Sequence, residues 1–153
     1  MHDKKEKKVR IPTPNEDGIL IKVINDEICE CCGKPHGGQT FKDGMCDAYT
    51  VGMEEKGFAE LQVVLFFPLE IIGYILNTVA KKVINGEVEE KDGTVIEGLF
   101  RSEAALRLDK RRDADGKDIY RVIIPDTRFR MPEESDEYPY NMQCESPYLE
   151  GTA

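Results

Sequence analysis

Four of the five cysteines, Cys29, Cys31, Cys32 and Cys46, fall within eighteen residues, and the fifth, Cys144, lies near the other end of the chain. The run Cys29-Glu30-Cys31-Cys32-Gly33-Lys34-Pro35-His36 contains a C-x-x-C pair, Cys29 and Cys32. That spacing lets two thiolates share one tetrahedral ion at about 2.3 Å each, and Gly33 relieves the turn that must follow. His36 and Cys46 complete a set of four donors, with Cys31 or Cys144 as substitutes. Four protein ligands close the coordination sphere, so the metal expected here is a structural zinc that shapes its loop without catalysing. Two other readings use the same residues: reduced thiols with no metal, and a redox C-x-x-C. The redox reading wants the motif at the start of a helix after a strand, and Gly33, Pro35, Gly37 and Gly38 prevent a helix there. The odd cysteine total and the absence of an apolar leader after Met1-His2-Asp3-Lys4-Lys5 argue against a disulfide framework.

The second chemical cluster is basic. The net charge is −9, yet residues 101–130 carry nine bases against six acids, while residues 131–153 carry six acids and no base. Arg107, Arg111, Arg112 and Arg121 fall in the basic block and could hold an anionic group. Tyr49 and Glu60 lie on neighbouring predicted strands and join them as the expected ligand-binding set. A plain alternative is a solvated hairpin, with Asp109, Asp113, Asp115 and Asp118 interleaved among the bases. Glu60, at the start of a buried strand, reads equally as a cap or an ion-pair partner. Overall acidity argues against a protein that coats nucleic acid, because such binding rests on Lys and Arg neutralising phosphates.

Catalytic signatures are missing. The two histidines are His2 and His36, outside the main predicted elements, which leaves little for acid–base chemistry built on imidazole. The serines, Ser102, Ser135 and Ser146, sit in no G-x-S-x-G elbow, and neither a Walker A loop nor G-x-G-x-x-G occurs. No stretch approaches the roughly 20 apolar residues of a membrane span. A cytoplasmic protein is expected.

The elements that must position these groups follow from periodicity. Ile19–Ile24, Ala48–Met53 and Leu61–Phe67 read as strands, the last fully buried. Pro68 suits a first helical turn, and Ile72, Ile75, Leu76, Val79 and Val83 recur at helical spacing. Lys81 and Lys82 complement the end of the helix dipole, and Asn85-Gly86 supplies the stop. Asp92-Gly93 predicts a tight hairpin between Val88 and Thr94–Ile96. Ala104, Leu106 and Leu108, then Tyr120, Val122 and Ile124, alternate as two further strands around the Asp115-Gly116 turn. From Pro125 onward the prolines rule out long regular structure. The expected fold is α+β: a mainly antiparallel sheet packed by one long helix, with a cysteine-rich loop near the amino terminus. Residues 1–18 form a mobile charged arm and 19–153 a single domain, with 25–46 as the cysteine loop.

Ala48-Tyr49-Thr50-Val51-Gly52-Met53 resembles a Y-T-[VI]-G-[LM] signature. With Gly57–Val64, Pro68, Ile75-Leu76-Asn77, Val83–Glu87, Tyr120–Asp126 and Gln143–Pro147, it is similar to the family catalogued as domain of unknown function 4262, over roughly residues 45–149. The resemblance implies an α+β domain and a bacterial or phage setting, and no reaction. That family usually reads His-Pro-Glu where this chain has Phe58-Ala59-Glu60, and the Cys29–His36 run looks like an addition to it. The expected function is a non-catalytic interaction protein of accessory, immunity or host-takeover type. It would bind a protein or an anionic ligand, with the Pro-rich carboxy-terminal segment able to lie across a partner. The alternative is an enzyme acting on a nucleotide-like or phosphorylated substrate, with Glu60 and Tyr49 in the pocket and the arginines holding its charge.

Overall fold

The computed structural model describes residues 14–26, 40–100 and 104–149. Six strands and a helix follow in the order β1 Leu20–Ile24, β2 Met45–Val51, β3 Glu60–Leu65, α1 Leu69–Ile84, β4 Val95–Ile96, β5 Leu106–Arg112 and β6 Asp118–Ile123. The sheet runs β1-β2-β3-β6-β5-β4. Every pairing is antiparallel except β3 with β6, which run parallel and are joined by a crossover through α1, β4 and β5. The α+β class expected from the sequence is the one observed, and no helix of the described residues is long and apolar enough to cross a membrane.

The helix forms where its apolar stripe predicts it. Ile72, Ile75, Leu76, Val79, Ala80 and Val83 are its buried residues. Each of the Ile, Leu and Val side chains removed from water contributes about 1.5–3 kcal/mol. Pro68 opens the helix, its carbonyl accepting from Ile71 and Ile72. Asn85 and Gly86 close it with a Schellman arrangement: Gly86, at φ +80°, donates to the Val83 carbonyl, and Glu87 donates to that of Lys82.

Two sequence expectations shift. The hairpin predicted around Asp92-Gly93 does not form. Residues 86–92 carry no strand, and β4 pairs with β5 instead, because Val95 and Ile96 face Arg107 and Leu106. The segment read as a mobile arm is docked from Asn15 onward. Asn15 accepts from the amides of Asp17 and Ile19, and its own amide donates to Asn77 on α1 at 2.9 Å. Residues 1–13 lie outside the described residues.

Strand register places a polar line across the sheet. Lys22 pairs with Tyr49, Tyr49 with Gln62, Gln62 with Arg121, and Arg121 with Asp109. Residues directly opposite one another project to the same face. This polar face is covered by the carboxy-terminal segment, whose carbonyls at Gln143 and Glu145 accept from Arg121. Alternation sends Leu61, Val63 and Leu65 to the other face, under α1. The segment that could have lain across a partner therefore lies across its own sheet. Gln143, wholly buried, holds it there: its side chain accepts from the Ile124 amide at 2.8 Å and donates to the Ile124 carbonyl at 2.6 Å.

Candidate functional site

Between the polar face and the carboxy-terminal segment lies a cavity of about 440 Å³. Arg121 lies at its base, 8% exposed, on β6. Arg111 stands beside it on β5, and Arg112 lies at the rim, its side chain 75% exposed and its Nε 3.8 Å from Asp118. Asp47, Gln62, Asp113, Cys144, Glu145, Ser146 and Tyr148 complete the polar lining. Two of the four arginines singled out in the sequence, Arg111 and Arg121, thus come together on the polar face, with Arg112 at the rim beside Asp118.

The hydrogen bonds of Arg121 use Nε and Nη1. Nε donates to Gln62 Oε1 at 2.9 Å, and Nη1 donates to the carbonyls of Gln143 at 2.7 Å and Glu145 at 2.9 Å. All three acceptors are neutral; among the described residues no carboxylate pairs with this guanidinium, and Nη2 makes no hydrogen bond. Burial, then the neighbouring charge of Arg111, lowers its pKa to about 10, so it stays a cation at neutral pH. Arg111 adds a buried Nε without a partner, and its Nη2 stands at a loose 3.6 Å from Asp109.

The acceptors nearest the polar line are committed within the protein. Asp47 accepts from Gln62 Nε2 at 2.9 Å and from the Tyr148 hydroxyl at 2.8 Å. Burial and then Asp47 hold the proton on Tyr148 well above the usual phenol range. Asp113 accepts from the amides of Asp115 and Lys117 in its own turn, and Glu145 faces Lys42 at 3.7 Å. The cavity therefore offers unspent cationic donors at Arg121 and Arg111, while the oxygens of Asp47 beside them are spent, an arrangement that can receive an oxyanion at the arginines. Burial, then Glu133 and Asp109, raise the pKa of Cys144, which disfavours the reactive thiolate.

The remaining expected residues are placed elsewhere. Arg107 is locked by a fork onto Asp109, at 2.7 and 2.9 Å, and by Glu133 at 2.8 Å. Tyr49 lies in the polar line, between Lys22 and Gln62. Glu60 closes the β2–β3 connection: its carboxylate accepts from the Thr50 hydroxyl at 2.7 Å and from the amides of Gly52, Met53 and Glu54 at 3.2 Å each. Gly52 is required there, at φ +123°, because a Cβ would meet the Gly18 carbonyl at 2.7 Å. Glu60 is thus the cap that the sequence offered as the alternative.

Of the zinc set, Cys29, Cys32 and His36, with Cys31, lie outside the described residues. Cys46 is wholly buried in the core on β2, its thiol turned to the carbonyls of Val63 and Leu65 at 3.8 and 3.6 Å. Burial pushes it up to about 12. That position is one of packing.

A second hollow, of about 380 Å³, lies between Asn15–Asp17 and the end of α1. Its bases are already matched, Lys81 by Glu16 at 3.1 Å and Lys82 by Glu87 at 3.7 Å. Gln62, Asp47 and Tyr148 were not anticipated as site residues. Gln62 had a readable signal, a lone polar side chain within the apolar run Leu61–Phe67; Tyr148, in a segment without periodicity, had none.

No family model, curated protein or solved structure matches this chain.

Proposed function

We propose that this chain is a non-catalytic binding protein that holds a small anionic ligand in the cavity under its carboxy-terminal segment. The observation that carries the reading is Arg121, a buried guanidinium with neutral hydrogen-bond partners and an unspent Nη2. Buried charges are normally paired, because leaving one unpaired costs several kcal/mol. An oxyanion between Arg121 and Arg111 would supply the missing charge. The enzyme reading needs Glu60 as an acid or base, and its two oxygens already serve four donors of the β2–β3 connection.

Titration calorimetry with inorganic phosphate tests the proposal. Wild type should bind, with affinity falling as salt is added. Arg111→Gln should weaken binding about tenfold or more, since a hydrogen bond to a charged group contributes about 1.5–3 kcal/mol. Absence of binding at low salt would refute the reading, and so would equal affinity in the variant.

A further inference from the structure

Resting on that reading, we infer that the ligand is a phosphate monoester with an uncharged organic body: one phosphoryl group against Arg121 and Arg111, and the body along the cavity wall. Three observations select this class.

The first is charge. Arg111 and Arg121 come from two adjacent strands to one face of the sheet and one cavity, more positive charge than one carboxylate can use. A phosphate monoester carries about −1.5 to −2 at neutral pH and offers three acceptor oxygens to guanidinium forks.

The second is size. A cavity of about 440 Å³ falls in the range of small-molecule sites, about 300–1,000 Å³. A free tetrahedral ion would fill a fraction of it. The rest of the wall includes Ala114, Ile119 and Pro147, apolar surface that an inorganic ion cannot use.

The third is the acidic part of the lining. Asp47, Asp113 and Glu145 line the same cavity as the arginines. A polyphosphate or a nucleic-acid strand would carry its further charges past these carboxylates, where like charges repel. One phosphoryl group on a neutral body keeps its charge at the arginines.

Calorimetry on the full chain, with inorganic phosphate, glucose 6-phosphate, adenosine monophosphate and inorganic tripolyphosphate, tests the inference. At least one monoester should bind tenfold or more tighter than inorganic phosphate, and tripolyphosphate should bind no tighter than phosphate. Ile119→Ser should reduce the advantage of the monoester and leave phosphate affinity unchanged, while Arg111→Gln weakens both. Monoesters that bind no tighter than phosphate would overturn the class and leave the anion reading standing. Tripolyphosphate as the tightest ligand would also overturn the class. Failure of all four ligands to bind would overturn both.

Discussion

Arg121 donates from Nε to Oε1 of Gln62 at 2.9 Å, across the one parallel strand pair of the sheet. The guanidinium thus meets a neutral amide where a buried base normally meets an acid. Gln62 in turn donates to Asp47 at 2.9 Å, so that carboxylate is held one side chain away, its oxygens occupied. This spacing leaves a cation in the cavity with part of its donor fork open.

Gln143 should be the strongest single support of the segment over that cavity. It satisfies both backbone groups of Ile124 in a fully buried position. Gln143→Ala would leave a donor and an acceptor unpaired, at about 1–3 kcal/mol each. Urea denaturation should therefore show a loss of roughly 2–5 kcal/mol. A change below about 0.5 kcal/mol, the scale of an ordinary surface substitution, would mean the segment is held by other contacts.

Glu60→Gln should damage stability and spare binding. The amide presents a donor where Thr50 and three backbone amides all donate, so roughly 1–3 kcal/mol should be lost. Anion affinity of the folded variant should match wild type. Phosphoester hydrolysis that is present in wild type and abolished in Glu60→Gln would favour the enzyme reading instead.

Glu90 gives the protein a pH dependence near neutrality. One oxygen accepts from the Ala59 amide at 2.8 Å and the other is buried without a partner. Burial, against that hydrogen bond and with the charge of Glu60 adding, raises it from the ordinary 4.5 to about 7. A carboxyl raised in the folded state favours folding while protonated. Its contribution is complete below the unfolded value and is lost as pH rises through about 7. The urea midpoint of wild type should fall between about pH 5 and pH 8, and Glu90→Gln should flatten that fall. An identical slope in the variant would contradict the assignment.

Zinc is expected at about one ion per chain, read by elemental analysis of protein purified without chelator. Cys29→Ser with Cys32→Ser should abolish it. Because the thiol of Cys46 packs against β3, Cys46→Ala should lower stability and leave the metal content unchanged. Loss of zinc in Cys46→Ala, with the fold intact by circular dichroism, would place that thiol in the ligand set.

Elements with a strong apolar period were legible in the sequence. The stripe from Ile72 to Val83 gave α1, and the alternation around Leu108 and Val122 gave β5 and β6, because burial of one face dictates the period. The β4 pairing was not legible. Asp92-Gly93 has hairpin chemistry, yet Val88 joins the core and the Gly93 amide donates to the Leu108 carbonyl, so tertiary pairing overrode the local turn signal. The site was half legible. Charge type pointed to Arg111, Arg112 and Arg121, but which bases are neutralised depends on register. Arg107 meets Glu133 and Arg121 does not, and that difference comes from a segment with no periodicity to read.

A crystal structure of the protein soaked in tungstate, a heavy tetrahedral oxyanion, tests the central claim most directly. The anomalous signal should mark an anion within hydrogen-bond reach of Arg121 Nη2 and of Arg111, and excess phosphate in the soak should displace it. Anomalous peaks confined to exposed lysines and arginines elsewhere, with none in the cavity, would contradict it.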